Sequence, residues 1–93
     1  MIPILFMNFV VYILYSELLD CYYIGQTSDL NARLHRHNAG YESFTSRGIP
    51  WVVIWTARKN SRSEAIDLEK KLKNLSKQRL KQFIDKNTKG REP

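Results

Sequence analysis

The period of apolar and polar positions changes along this chain, and each change marks an element. Residues 9–15 are rich in Val, Ile, Tyr and Phe, Ser16 to Asp20 breaks the run, and residues 21–26 are strand-like again up to Gly25. This predicts a β-hairpin. With its loop centred on Leu18-Leu19, Leu14 sits opposite Tyr23 and Tyr12 opposite Gly25, so alternation places Tyr12 and Tyr23 on one face. Gly25 then leaves the space beside Tyr12 free of a side chain.

The period next becomes helical. Thr27-Ser28-Asp29 offers capping side chains before Leu30 and Gly40 offers a stop, predicting a helix over residues 30–39. Leu30, Arg33, Leu34 and His37 fall at i, i+3, i+4 and i+7, which turns Arg33 and His37 toward the sheet. A long cation on an inward stripe demands a partner or a ligand.

Residues 41–50 form a loop carrying Ser43, Thr45, Ser46 and Arg47, all suited to donate to phosphate. Trp51-Val52-Val53-Ile54-Trp55 is almost continuously apolar, which predicts a third strand at the centre of the sheet. Ser61-Arg62-Ser63-Glu64 matches a capping box, and Ala65, Leu68, Leu72 and Leu75 make the core stripe of the helix it opens. Glu69 lies on the border of that stripe. Residues 76–86 form a third, basic amphipathic helix with Leu80, Phe83 and Ile84 inward. The expected fold is α+β in the order ββαβαα: a small three-stranded antiparallel sheet flanked by three helices. Its divisions are a 1–8 extension, a 9–86 domain and an 87–93 polar tail.

Length and composition narrow the possibilities. A chain of 93 residues, 43% hydrophobic and 26% charged, builds one core without room for a second catalytic module. The formal charge of +6 is uneven: residues 1–57 carry three Lys/Arg against four Asp/Glu, and the remainder twelve against five. A basic half of this kind is either a polyanion footprint or a solvated helical face. Cys21 is the single cysteine, which excludes an internal disulfide and a cysteine-based zinc cluster and fits a reducing, cytoplasmic setting. The apolar opening Met1 to Met7 lacks a basic n-region and is too short to span a bilayer, so no membrane is expected as a partner.

Two tyrosines, an arginine, a histidine and a glutamate turned toward one sheet supply what phosphodiester hydrolysis uses: groups that move a proton, a cation over phosphate and a hard metal ligand. The bland readings are tyrosine cross-strand packing, an Arg33–Asp29 pair, His37 as a helix C-terminal cation and a Glu69–Lys73 pair. Cys21, His35, Trp51 and Trp55 read as structural or incidental.

Tyr12, then Tyr23-Ile24-Gly25, then Arg33, then Ala65-Ile66-Asp67-Leu68-Glu69 resembles the GIY-YIG nuclease superfamily. Tyr22 to Thr27, Arg33 to Gly40 and Phe44 to Trp51 are similar to its small stand-alone bacterial members, themselves similar to the nuclease domain of the excision-repair incision subunit. The resemblance covers roughly residues 9–85. It implies a DNA endonuclease, structure-selective or weakly specific, using one magnesium or manganese ion and no small-molecule cofactor. By position, Tyr12 would activate water, Tyr23 hold water and phosphate, Arg33 clamp phosphate, His37 assist Tyr12, and Glu69 bind the metal. Gly25, Thr27, Thr45 and Arg47 are the expected substrate-binding positions. The chain departs from the pattern in three places: Val-Tyr-Ile stands for Gly-Ile-Tyr, Lys81 occupies the place of a downstream asparagine, and Gln26 that of a basic residue. The competing reading is a non-catalytic nucleic-acid-binding module of the same fold.

Overall fold

The computed structural model describes residues 8–88; most of the expected extension and tail lies outside this range. Two strands, β1 (Phe9–Ser16) and β2 (Cys21–Thr27), form the hairpin, followed by helix α1 (Leu30–Asn38) and a 3-10 turn (Thr45–Gly48). Strand β3 (Trp51–Lys59), α2 (Arg62–Lys73) and α3 (Lys77–Thr88) complete the order ββαβαα. The hairpin register pairs Tyr12 with Gly25 and Leu14 with Tyr23, as alternation and loop length require.

The sheet order is β2-β1-β3, all antiparallel, so β1 is central and the central position expected for β3 is wrong. Val11, Tyr12, Ile13 and Leu14 are fully buried, while Val52 on β3 is 51% exposed. The apolar run of β3 has a different cause. Its pairing with β1 shifts between Ile13↔Trp55 and Leu14↔Val53, leaving Ile54 as the extra residue of a bulge. Trp51 and Val53 therefore face one core, and Trp55 and Ala57 the other.

Those two cores lie on opposite faces of the sheet. On one, Val11, Ile13 and Ile24 pack with Ala65 and Leu72 of α2 and with Leu80 and Ile84 of α3. On the other, Tyr12, Leu14 and Trp51 meet Leu30 and Leu34 of α1. The expected caps hold both ends in place: Ala32 N–H donates to Asp29 Oδ1 at 3.1 Å, and Glu64 N–H to Ser61 Oγ at 3.1 Å. Helix α1 closes with Gly40 at φ +83°, its N–H bonded to His37 O and that of Tyr41 to Arg36 O, a Schellman arrangement. Among the described residues no helix is long and apolar enough to cross a membrane.

Asn38, the last residue of α1, ties that helix to β3. Its Oδ1 accepts from Trp51 N–H at 2.7 Å and its Nδ2 donates to Trp51 O at 3.1 Å. Asn38→Ala strips both partners from a buried residue, so urea unfolding should show a loss of roughly 1–3 kcal/mol.

Candidate active site

The α1 face of β1 carries Tyr12 at the middle of the sheet with none of its surface exposed. Its ring lies across Gly25 on the neighbouring strand, where a Cβ would fall 2.6 Å from Tyr12 Cζ. Only glycine allows this, because a methyl group there would displace the ring. The motif glycine is thus a steric requirement of the tyrosine opposite.

A buried phenol hydroxyl needs a partner, and His37 Nε2 is 3.1 Å away. The other ring nitrogen, Nδ1, lies 2.9 Å from Thr45 Oγ1. Glu42 Oε2 stands 4.0 Å from Nδ1, and Thr45 Oγ1 has the Glu42 carbonyl oxygen within 3.5 Å to receive its own hydrogen. Both observations assign the imidazole proton to Nδ1: Nδ1–H donates to Thr45, and Nε2 accepts from Tyr12 O–H. Burial holds the His37 pKa below its ordinary value, with Glu42 opposing and Arg33 and Arg36 assisting. A neutral imidazole with a lone pair facing Tyr12 is a proton acceptor.

Burial also pushes the Tyr12 pKa up to about 12; Tyr23 adds to the rise, and the Arg33 guanidinium pulls against it. Arg33 acts on both Tyr12 and His37, as its inward position on α1 predicted. Among the described residues Arg33 has no ion-pair partner, and Asp29 is occupied in capping. Tyr23 completes the group: its ring centroid is 4.8 Å from that of His37, edge-on, and 6.4 Å from that of Tyr12.

Four of the five expected catalytic residues, Tyr12, Tyr23, Arg33 and His37, are therefore brought together. Glu69 makes no hydrogen bond or ion pair with these four among the described residues: the buried stripe of α2 packs in the other core, and the Glu69 carboxylate pairs with Lys73 Nζ at 2.7 Å. The carboxylate beside His37 is instead Glu42. Among the described residues no three His, Cys, Asp or Glu side chains converge as a metal cage.

The expected substrate-binding residues divide in a similar way. Thr45 is wholly buried and its hydroxyl engages His37, so it is not placed to donate to phosphate. Thr27 is nearly buried, and its Oγ1 accepts from Asp29 N–H at 3.1 Å in the turn before α1. Gly25 makes room for Tyr12, and Arg47 is exposed. Trp51, read as structural, closes the cluster from below: its Nε1–H donates to Thr45 O at 2.6 Å and its ring meets Tyr23 edge-on at 6.3 Å. The roles of Glu42, Thr45 and Trp51 arise from the 41–50 segment folding back on α1. That segment has no periodicity to reveal such a path; the Gly40 stop was its one sequence signal.

The buried histidine gives stability a pH dependence whose sign follows from linkage. The unfolded chain protonates this residue below about pH 6.5, whereas the native state resists, so the unfolded state binds more protons there. Stability falls as pH drops through this range. Chemical unfolding between pH 7.5 and 5.5 should show that decline in the native protein and a flatter profile in His37→Gln.

A family model described as the GIY-YIG catalytic domain matches residues 8–90. Two UPF0213 proteins of Streptococcus pneumoniae, from a serotype 4 strain and from a second strain, are 32% and 31% identical over 78 residues. Each match covers 78% of this chain and 79% of the relative. The solution NMR structure of a UPF0213 protein from Bacillus halodurans aligns with a TM-score of 0.56 and 31% identity, covering 85% of this chain and 84% of that one. With Tyr12, Tyr23-Ile24-Gly25 and Arg33 gathered on one face of a ββαβαα fold, and with the family model spanning nearly its whole length, the chain belongs to the GIY-YIG family.

Proposed function

We propose that this protein is a divalent-metal-dependent endonuclease that hydrolyses phosphodiester bonds in DNA. The observation that carries this reading is the hydrogen-bonded line from Tyr12 through His37 to Thr45, set beside Tyr23 and Arg33. When Tyr23 shifts to uncover the buried Tyr12 hydroxyl, a water held against Tyr23 gives its proton to Tyr12 Oη as the Tyr12 proton passes to His37 Nε2. The hydroxide so formed attacks phosphorus, and the bond from phosphorus to the leaving sugar oxygen breaks as the new bond forms, that oxygen taking a proton from solvent. Moving the two protons together matters: with a pKa near 12, free phenolate would amount to only about one molecule in 10⁵ at pH 7. The planar guanidinium of Arg33 presents a fork of donors and offsets the negative charge that develops on phosphate.

The family implies a magnesium or manganese ion. Magnesium is usually held by one or two carboxylates together with water and phosphate oxygens. Glu69, whose side chain is 18% exposed, supplies one such hard donor, so its chemistry fits, with Lys73 as the pairing to be exchanged. A metal bound there would add Lewis-acid stabilisation of the phosphate oxygens. The same Glu69–Lys73 pair favours a second reading, a non-catalytic DNA-binding module. Salt-sensitive binding without product at any divalent metal concentration would establish that alternative.

Cleavage of a panel of single-stranded, flapped and duplex DNA tests the leading reading. Product should form with Mg²⁺ or Mn²⁺ and fall about 10²- to 10⁴-fold in Tyr12→Phe and Arg33→Ala, with both variants folded by circular dichroism. Glu69→Gln should lose cleavage while its unfolding free energy changes by under about 1 kcal/mol, because the i,i+4 pair it breaks has its cation half exposed. Full cleavage in all three variants would overturn the assigned roles.

Thr45 acts through His37 as a positioning residue. Thr45→Val leaves Nδ1–H without an acceptor, so kcat should fall with KM little changed and the acidic limb of the pH–rate profile should move. Thr45→Ser should restore both.

A further inference from the structure

The segment that covers His37 also exposes aromatic rings that the core does not use. Phe44 is 54% exposed and Tyr41 70% exposed, and the two lie three residues apart in the stretch between α1 and the 3-10 turn. Isolated exposed apolar residues are ordinary. Phe44, however, is held in a defined orientation: its ring stacks against Tyr23 at 6.2 Å with 29° between planes, and it lies 6.4 Å from Trp51. Tyr23 meets His37 in turn at 4.8 Å. Phe44 is thus the outermost layer of a stack that ends at the Tyr12–His37 hydrogen bond.

One of these rings carries a cation, and a second cation lies in the adjoining turn. The Arg36 guanidinium sits 5.6 Å from the centroid of Tyr41, and its side chain is 53% exposed, with Glu42 at 3.9 Å as its ion-pair partner. Arg47, in the 3-10 turn one residue after Ser46, is also exposed. Flat aromatic faces interleaved with arginines are the surface on which unpaired bases stack while their phosphates are neutralised, with little regard to sequence. In a duplex both faces of each base are already covered by neighbours, so such a platform takes hold of unpaired bases only.

We propose that Phe44, three residues after Tyr41 with its Arg36 cation, is a stacking platform for an unpaired base next to the phosphate at Tyr23, and that the substrate is DNA single-stranded at that position. This rests on the nuclease reading only for the identity of the phosphate; base stacking itself needs no metal and no turnover.

The test is fluorescence binding in EDTA, using a single-stranded oligonucleotide carrying 2-aminopurine and a fully paired duplex of the same sequence. The single strand should bind at least about tenfold more tightly and its 2-aminopurine should be quenched on binding. Phe44→Ala should weaken single-strand binding by roughly five- to 150-fold, the range for losing one stacked base, with duplex binding changed less than about twofold. Phe44→Trp should restore both affinity and quenching. Equal loss for both DNAs, or no loss for either, would overturn the platform. Cleavage assays separate this outcome from the nuclease reading. Intact Phe44-dependent binding without product removes turnover and keeps the platform, whereas equal cleavage of duplex and single strand, unaffected by Phe44→Ala, keeps the nuclease and removes the platform.

Discussion

A phenol hydroxyl buried in the middle of a sheet has to be hydrogen-bonded, and that requirement organises the face of this protein that holds Tyr12. The central strand is buried on both sides, so alternation leaves Tyr12 away from water. An unpaired hydroxyl in such a place costs roughly 1–3 kcal/mol. His37 satisfies it, Thr45 satisfies His37, and the Glu42 carbonyl is in reach of Thr45. Gly25 provides the gap in which the ring lies. The same chain of bonds that makes the burial tolerable leaves a neutral imidazole facing a tyrosine, which is a proton path.

The two faces of the sheet divide the labour. The face covered by α2 and α3 is an apolar core of Val11, Ile13, Ile24, Trp55, Leu72, Leu80 and Ile84, with no histidine or arginine among its buried members. The face covered by α1 and the 3-10 turn mixes Leu14 and Trp51 with Tyr12, His37 and Thr45. The basic second half of the chain belongs mainly to α2 and α3, where Lys70, Lys71, Lys73, Lys77, Arg79, Lys81 and Lys86 are exposed. The cations felt by Tyr12 and His37 are Arg33 and Arg36, from the first half. A net charge read along the sequence therefore described the surroundings of the α2–α3 face and not those of the site.

Electrostatics around Tyr12 follow from this separation. Burial and the neighbouring Tyr23 raise its pKa while Arg33 lowers it, and Arg33 also keeps His37 from charging. One guanidinium thus biases both groups in the sense a relay needs, toward an easier phenol and a neutral imidazole.

Local patterns sufficed for the hairpin and its register, the Asp29 and Ser61 caps, the Gly40 stop and the inward turn of Arg33 and His37. Each depends on neighbours a few residues away or on a period of two or 3.6. Strand order did not follow from such patterns, because β1 and β3 are both apolar runs and only long-range pairing decides which is central. The bulge at Ile54 is likewise a property of that pairing. The residues that back His37, Thr45 and Trp51 with Glu42, come from an aperiodic segment whose path is set by where it can bond and pack. Glu69 shows the same division: helical spacing placed it at the edge of the α2 stripe and within reach of Lys73, but only the folded chain shows that this stripe packs in the core opposite the one holding Tyr12. Which way side chains point along each element was legible in the residue order, since that is backbone periodicity. Which of them meet emerged only on folding, since that depends on contacts such as Tyr12 to His37, 25 residues apart in the chain.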